Sequence, residues 1–376
     1  MDLVVIGHGV DVASSAELRY AEKQMLASLP THVPLVRSVA RDSRSLVQAA
    51  LEAVDALCLP DDARVLLAKN ACLWPAPGTF SYLEKVLDGA ASAAFAHDSA
   101  HAYPGFPRDY MTLRGLERYV ATLAAQLDHP VQSGADLPAL ALTTAGALRL
   151  TTWADQAVWG AHAFVHDFSG YQQGQRDDVV PIIPASVKRI LDVGGGEGGF
   201  LKALKKHLVC ETHLAEFSSA ACALALASDG VDKVWPGDFM TADLDVKFDC
   251  ITFLDVLEHT ESPVQWLHRA AQLLEPDGCV VASIPNVGHW SVVADLLEGR
   301  WDYAPAGIHC VTHLRFFTRY GVAQLMAEAG LKIEKIEAVR IDPPLWFDVS
   351  AMQGHLHTDA DSLSSFSFLV KARAVA

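Results

Sequence analysis

The chain has 376 residues, of which 51% are hydrophobic and 20% are charged, a composition typical of globular rather than disordered proteins. A chain of this length is expected to form two domains. The 45 acidic residues outnumber the 29 basic ones and give a formal net charge of −16. This charge disfavours free nucleic acid and anionic membrane surfaces as partners.

The seven cysteines include no Cys-x-x-Cys pair, and most lie in apolar runs. This pattern favours a reducing compartment over a disulfide framework or a zinc site. The first residues, MDLVVIGHGVDV, lack the basic start of a signal peptide, and no run of about 18 uncharged apolar residues occurs. We therefore expect a cytoplasmic protein without a membrane span; the sequence leaves homo-oligomerisation open.

Strand-like and helix-like patterns alternate in the first 130 residues, which predicts an α/β domain with a parallel sheet covered on both faces. The predicted strands are Leu3–Ile6, Val33–Val39, Ala63–Leu67 and Ala93–Ala96, and the predicted helices are Glu17–Leu29, Ser43–Cys58 and Tyr82–Leu87. Residues 131–166 are predicted to be a helical connector. A larger domain, 167–376, follows with seven predicted strands, helices on both faces of its sheet and an insertion over 285–317.

The clearest motif of the second domain is a glycine-rich run, Asp192-Val-Gly194-Gly-Gly196-Glu-Gly198-Gly199, between the predicted strand Arg189–Val193 and a helix. Glycines allow a tight turn and close approach of the backbone to a ligand, and the helix directs its free N–H groups at that ligand. The run also fits the dinucleotide fingerprint GxGxxG. The structural alternative to both ligand sites is a tight strand-to-helix turn that binds no ligand.

Acidic residues follow the next strands at the same predicted edge of the sheet. Glu216 ends strand two, 20 residues after Gly196, where a carboxylate can accept both hydroxyls of a ribose. Asp238 and Phe239 follow strand three. An aspartate there can accept the amine of adenine and an aromatic ring can cover its face; the alternative for Asp238 is a turn cap. Strand four is followed by Asp255-Val-Leu-Glu258-His259.

With these motifs in order, the run from Ile190 to Val339 resembles the class I S-adenosylmethionine-dependent methyltransferases. It is most similar to the bacterial branch that includes ubiquinone-type O-methyltransferases and enzymes encoded with glycosyltransferases. The matching motifs are Asp192–Gly198, Glu216, Gly237-Asp238, Leu257-Glu-His259, Leu273-Leu-x-x-x-Gly278 and the segment from Gly299 to Thr318. The sequence departs from the family at Gly195, where cysteine is frequent, and at Glu216-Phe217, where aspartate and a smaller residue are commoner.

The resemblance implies a Rossmann-like methyltransferase sheet, S-adenosyl-L-methionine as cofactor, and a set of site residues. Gly194, Gly196 and Gly198 would line the methionine end of the cofactor, and Asp192 would orient this loop or reach the ammonium through water. Glu216, with Phe217 beside it, would hold the ribose, and Asp238 with Phe239 the adenine. Asp255 would lie near the ammonium and sulfonium. Tyr171, and with it Arg176, would belong to a lid over the methionine carboxylate, although Tyr171 could also serve packing alone.

Transfer to a hydroxyl needs a base, and histidine is the natural base near neutral pH. His259, His309 and His313 are the candidates, each with a structural role as the alternative. His309 and His313 are four residues apart and could both face the acceptor, or share a metal ion, for which the sequence shows no third ligand. The aromatic residues of the insertion suit a sugar or an aromatic ring equally, and packing within the lid is their structural alternative.

Residues 1–130 faintly resemble a nucleotide-sugar glycosyltransferase domain in which the metal-binding Asp-x-Asp reads Asn70-Ala-Cys72. Without carboxylates a metal binds poorly there, so a degenerate, non-catalytic module is expected. The sequence thus predicts a bacterial enzyme that methylates an O or N atom of a small-molecule or carbohydrate-type acceptor, as in carbohydrate or secondary-metabolite modification. A non-catalytic cofactor-binding scaffold and an NAD-dependent oxidoreductase are the alternatives.

Overall fold

The computed structural model describes residues 1–7, 15–39, 42–89, 91–98, 112–132, 136–169, 174–350 and 361–375. The chain divides into two compact units, Met1–Ser169 and Gly170–Ala376, and each is built around its own sheet. Within these described ranges, no helix has the length and apolar character that a bilayer crossing requires.

The N-terminal unit contains an eight-stranded sheet in the order β2-β1-β3-β7-β5-β8-β4, with β6 paired to β8. Its strands are β1 (Leu3–Ile6), β2 (Leu35–Arg37), β3 (Arg64–Ala68), β4 (Leu73–Pro75), β5 (Ala93–Asp98), β6 (His129–Pro130), β7 (Leu140–Thr144) and β8 (Val158–Asp167). Its helices are α1 (Ala16–Ser28), α2 (Ser43–Ala56), α3 (Thr79–Asp88), α4 (Leu113–Thr122) and the single turn α5 (Ala145–Leu148). Two apolar clusters, one on each face of this sheet, form the core.

Two expectations for this unit are wrong. The sheet is mixed rather than parallel, because β7 runs antiparallel to both β3 and β5, and β4 runs antiparallel to β8. The helical connector expected over 131–166 contributes the long strand β8 and the buried strand β7 instead. Strand β7 is buried on both faces and β8 has three consecutive buried residues, so neither shows the regular apolar–polar alternation that distinguishes a strand from a helix.

The C-terminal unit contains a seven-stranded sheet in the order β11-β10-β9-β12-β13-β15-β14. Its strands are β9 (Arg189–Val193), β10 (Glu211–Glu216), β11 (Lys233–Pro236), β12 (Phe248–Leu254), β13 (Leu274–Pro285), β14 (Leu331–Arg340) and β15 (Ser365–Ala374). The first five strands are parallel, and β15 runs antiparallel to β13 and β14. The helices are α6 (Gly199–Leu204), α7 (Ser219–Leu226), α8 (Pro263–Leu273), α9 (Trp290–Leu297) and α10 (Arg319–Glu328).

Alternating side chains of β9 explain how this sheet is covered on both faces. Leu191 packs in a cluster with residues of α8 and α10, whereas its neighbour Ile190 packs with residues of α6 on the other face. The Rossmann-like α/β class predicted for the C-terminal domain is confirmed. Strands β10 and β12 flank β9 on opposite sides, so the chain order reverses there, and in sheets of this kind the ligand crevice lies beyond the carboxyl ends of the strands at such a point.

Candidate active site

The glycine-rich loop joins β9 to α6 at this reversal point. Gly194, Gly196 and Gly198 have φ angles of 72°, 57° and 78°, the left-handed region that glycine adopts without steric cost. A Cβ atom on Gly194 would lie 2.8 Å from Val256, and one on Gly198 would lie 2.6 Å from Val231. The loop is therefore held closely against its neighbours and needs glycine at these positions.

Glu216 connects the end of β10 to this loop. Its carboxylate accepts hydrogen bonds from the backbone N–H of Gly196 (3.0 Å) and of Ser218 (2.7 Å). Burial raises the pKa of Glu216, although these backbone donors oppose the shift. A carboxylate that is anchored in this way keeps lone pairs for hydroxyl donors of a ligand.

Asp192 lies beneath the loop and is fully buried. The Thr252 hydroxyl donates to its Oδ1 atom (2.6 Å), while Oδ2 has no hydrogen-bond partner in the structure. Burial raises the pKa of Asp192 to about 7. A Cβ atom on Gly195 would lie 2.1 Å from this Oδ2, so the glycine that replaces the family's frequent cysteine fits the local packing.

The raised pKa of Asp192 predicts a pH dependence of stability for the ligand-free protein. The unfolded carboxyl ionises near its ordinary value of 3.8, but the folded one does so near 7. Between these values the folded state binds more protons, so its free energy of unfolding falls as pH rises from 4 to 7, by at most on the order of 4 kcal/mol from this residue. We expect Asp192→Asn to flatten that decline in urea titrations run across this range. If the free energy of unfolding fell equally with pH in the wild type and in Asp192→Asn, the prediction would be contradicted.

Arg176 and Asp255 meet at the carboxyl ends of β12 and β13. Arg176 donates to the Asp255 carboxylate and, at 3.0 Å, to the hydroxyl of Ser283, which itself donates to Asp255 at 2.8 Å. Asp255 has a φ of 58°, unusual for a residue other than glycine, and this turns its side chain at the strand end. The expected lid residue and the expected ammonium-binding carboxylate thus form one ion pair. Tyr171, the other expected lid residue, lies outside the described residues.

The aromatic ring proposed to cover adenine is not available for that role. Phe239 is 2% exposed, and its ring packs edge-on against Phe253 and tilted against Trp266 in the core. The turn after β11 directs the ring under the sheet, a direction that spacing alone does not reveal. Asp238 is exposed and accepts the backbone N–H of Met240 (2.8 Å), as a turn-capping aspartate does.

Phe217 directly follows Glu216 at the crevice and is 82% exposed. An exposed aromatic ring beside the predicted ribose-binding carboxylate has the surface that an adenine face needs. Of the two phenylalanines predicted at the cofactor, Phe217 is thus exposed at the end of β10 and Phe239 is buried in the core.

His259 lies in a 3₁₀ turn, Leu257–His259, directly after β12. Its Nδ1 atom is 2.9 Å from the hydroxyl of Thr312, and its ring meets that of His313 edge-on at 4.6 Å. The neighbouring Glu258 is fully buried. Burial, reinforced by the Asp255 carboxylate, raises the pKa of Glu258 well above its ordinary value.

His309 and His313, which the sequence allowed to face the acceptor together or to share a metal ion, lie in different surroundings. Residues 300–317 contain turns but no helix that would place positions four apart on one face. His309 is 2% exposed, and its ring centroid lies 4.4 Å from that of Trp301. Burial lowers the pKa of His309. His309 is therefore a packing residue of the insertion, and His313 joins Glu258 and His259 instead.

Comparison with known proteins assigns part of this chain to a family. Residues 167–336 match the family described as a methyltransferase domain. The C-terminal unit is a class I S-adenosylmethionine-dependent methyltransferase domain. S-adenosyl-L-methionine is its cofactor.

Relatives of the methyltransferase domain include the ubiquinone biosynthesis O-methyltransferase of Thiobacillus denitrificans, 24% identical over 176 residues that cover 43% of this chain and 71% of that protein. The enzyme of the same name from Neisseria meningitidis is 27% identical over 158 residues, which cover 39% of this chain and 64% of that protein.

Among solved structures, a methyltransferase of Bacillus halodurans is similar with 17% identity and a TM-score of 0.39, covering 54% of this chain and 100% of that one. An O-methyltransferase from neocarzinostatin biosynthesis, solved with S-adenosyl-L-homocysteine and 1,4-dihydroxy-2-naphthoic acid, has 20% identity and a TM-score of 0.37. This chain spans about half of that protein, 52% of each being covered.

The residues of the methyltransferase domain fit this cofactor. The crevice has a glycine loop, an anchored carboxylate at Glu216, and an Asp192 oxygen that still lacks a hydrogen-bond donor. Sequence reasoning missed Ser283 and Thr312, because a lone serine or threonine gives no signal until the fold places it beside Asp255 or His259.

Proposed function

We propose that the methyltransferase domain transfers the methyl group of S-adenosylmethionine to a hydroxyl oxygen of a small-molecule or carbohydrate-type acceptor. The observation that carries the proposal is the grouping of Glu216, the glycine loop and His259 at the carboxyl ends of neighbouring strands. Relatives that are named as O-methyltransferases support oxygen as the methylated atom.

In this proposal the crevice divides into a cofactor end and an acceptor end. Glu216 accepts the ribose hydroxyls, Phe217 covers the adenine, and the loop amides with Asp192 hold the methionine end. Arg176 and Asp255 form a pair of opposite charges. Opening this pair would offer the guanidinium to the cofactor's carboxylate and the Asp255 carboxylate to its ammonium.

Bound S-adenosylmethionine supplies a methyl carbon that is activated by a positive sulfur. The domain's own residues must place the acceptor oxygen in line with the carbon–sulfur bond and remove the hydroxyl proton as the new carbon–oxygen bond forms. His259 is the imidazole that we propose for this activation, since it directly follows β12 and the Thr312 hydroxyl orients its ring. The products are the methyl ether, a proton and S-adenosylhomocysteine.

Calorimetric titration with S-adenosylhomocysteine tests the cofactor end, and labelled S-adenosylmethionine offered with panels of phenols, catechols and sugars tests the acceptor end. We expect saturable binding of S-adenosylhomocysteine and transfer of the labelled methyl group to at least one hydroxylated compound of these panels. A folded protein that binds no S-adenosylhomocysteine would refute the proposal.

Glu216→Gln is expected to weaken binding of S-adenosylhomocysteine by about 10- to 100-fold. The amide keeps the shape of the side chain but replaces one acceptor oxygen with a donor that opposes either the Gly196 N–H or a ribose hydroxyl. Glu211→Gln is the matched control, because Glu211 begins the same strand and contacts Arg189 and His213 at the opposite end. Equal affinities of both variants would remove Glu216 from the ribose site.

We further propose that the N-terminal unit is a glycosyltransferase-like module without catalytic activity. The Asn70 side chain accepts the N–H of Cys72 (2.7 Å) and donates to Asp167 (3.3 Å), so it serves the local packing of this strand end. We expect no hydrolysis or transfer when nucleotide sugars and Mn²⁺ are offered to the full chain.

A further inference from the structure

A group of metal-binding side chain types lies beside the acceptor end of the crevice. Among the residues that the structure describes, Glu258, His259 and His313 each place one ligand atom within 4.8 Å of the other two. The backbone brings them together: the carbonyl of Glu258 accepts the N–H groups of Leu314 (2.8 Å) and Arg315 (3.0 Å). These bonds fix the insertion against the turn that follows β12.

The Glu258 carboxyl group is the second observation that points to a ligand. It is fully buried, and neither oxygen has a hydrogen-bond partner in the structure. The Nε2 atom of His313 is 3.9 Å from its Oε1, which is too long for a hydrogen bond. Buried carboxylates in proteins are hydrogen-bonded, paired with a charge or bound to a metal, because otherwise they lose their hydration without replacement.

Hydrogen bonds outside the group orient both imidazoles as they do at metal sites. The Nδ1 atom of His313 is 3.0 Å from the carbonyl of Ile308. A carbonyl only accepts, so Nδ1 carries the proton and the Nε2 lone pair of the neutral ring is directed at Glu258. The Nδ1 atom of His259 contacts the Thr312 hydroxyl, which can donate or accept, so this contact orients the ring and leaves Nε2 as the atom for a metal. Such outer partners fix the tautomer and direction of metal-binding histidines.

We propose that Glu258, His259 and His313 bind a divalent metal ion of the zinc type. Two imidazoles and one carboxylate are a donor set that Zn²⁺ uses in catalytic sites, whereas Mg²⁺ and Ca²⁺ prefer oxygen ligands throughout. Ligand atoms around a tetrahedral Zn²⁺ lie about 3.3 Å apart. The three ligand atoms therefore move closer together when the ion binds. Rotation of the His313 side chain permits this movement, because His313 lies in a different segment from Glu258 and His259.

The metal deepens the proposed function and rests on it. Three protein ligands leave a coordination position for water or for the acceptor oxygen, and a bound hydroxyl then loses its proton more readily near neutral pH. His259 would act on the acceptor through the ion, as a ligand. None of the three ligands is among the residues proposed to hold the cofactor, so the metal-free protein is expected to retain binding of S-adenosylhomocysteine.

Titration of the metal-stripped full chain with Co²⁺, followed by its visible absorption, tests the site, and Zn²⁺ competition measures the affinity. We expect one equivalent of Co²⁺ with the intense absorption of a low-coordinate site, displaced by Zn²⁺ but not by equimolar Mg²⁺. Glu258→Gln and His313→Gln should each weaken Co²⁺ binding at least 100-fold. His309→Gln is the matched control, since this buried imidazole of the same segment lies against Trp301 instead.

Absence of stoichiometric Co²⁺ binding to the wild-type chain, or equal binding by all three variants, would overturn the metal site. S-adenosylhomocysteine titration of the same samples separates this outcome from failure of the proposed function. It also identifies misfolding, because a folded variant retains nucleoside affinity whether or not it binds metal.

Discussion

Gly196→Leu is expected to abolish measurable binding of S-adenosylhomocysteine, a loss of at least about 100-fold or roughly 2.7 kcal/mol. Gly196 has a φ of 57°, which costs leucine about 1–2 kcal/mol, and its N–H donates to Glu216. The added side chain would also occupy the loop where the methionine end of the cofactor is proposed to lie. Calorimetry on the purified variant measures the effect.

Gly330→Leu provides the matched control for this backbone effect. Gly330 has a φ of 68°, and no atom lies within 4 Å of the position where a Cβ would be added. It follows α10, away from the glycine loop, so the variant carries similar strain with cofactor affinity intact. If both variants bound S-adenosylhomocysteine like the wild type, the loop would not be the cofactor site.

His259→Ala is expected to lower kcat for methyl transfer by about 10²- to 10⁴-fold while leaving the affinity for S-adenosylhomocysteine within about twofold. The reason is that the imidazole acts on the acceptor proton, directly or as a metal ligand, and not on the nucleoside. Initial rates with the acceptor found in the panel screen, together with calorimetry, separate the two quantities.

His268→Ala is the control for loss of an imidazole near this turn. His268 is exposed on α8 and belongs to the same unit. We expect its kcat to equal that of the wild type. A His259→Ala enzyme with the same kcat as this control would reduce His259 to a structural residue.

The parallel part of the C-terminal sheet could be predicted from sequence because local signals agree there. The strand Arg189–Val193 is apolar, ends in a glycine run and precedes a helix, so pattern, turn chemistry and topology indicate one structure. The N-terminal sheet could not be predicted in the same way. Strand β7 is only five residues long and is buried on both faces, so its pattern does not separate strand from helix.

The site shows the same division between local and long-range information. Glu216 is predicted by its distance from the glycine run, and its contact with Gly196 lies within one strand–helix–strand unit. The Glu258–His259–His313 group joins positions more than 50 residues apart through a loop without regular periodicity. Phe239 failed as a prediction because the direction of a side chain after a turn depends on dihedral angles that spacing does not encode.

Two backbone hydrogen bonds, from the N–H groups of residues 314 and 315 to the Glu258 carbonyl, hold the insertion against the turn after β12. The insertion can therefore be exchanged as one segment. These two hydrogen bonds use main-chain atoms only, so they persist when the side chains of the segment change, whereas Thr312 and Arg315 add side-chain contacts to His259 and Glu261. Variation in that segment would then change which acceptors are methylated while the nucleoside crevice is inherited unchanged. Grafting residues 286–317 from another member of the fold should therefore transplant acceptor preference as a unit.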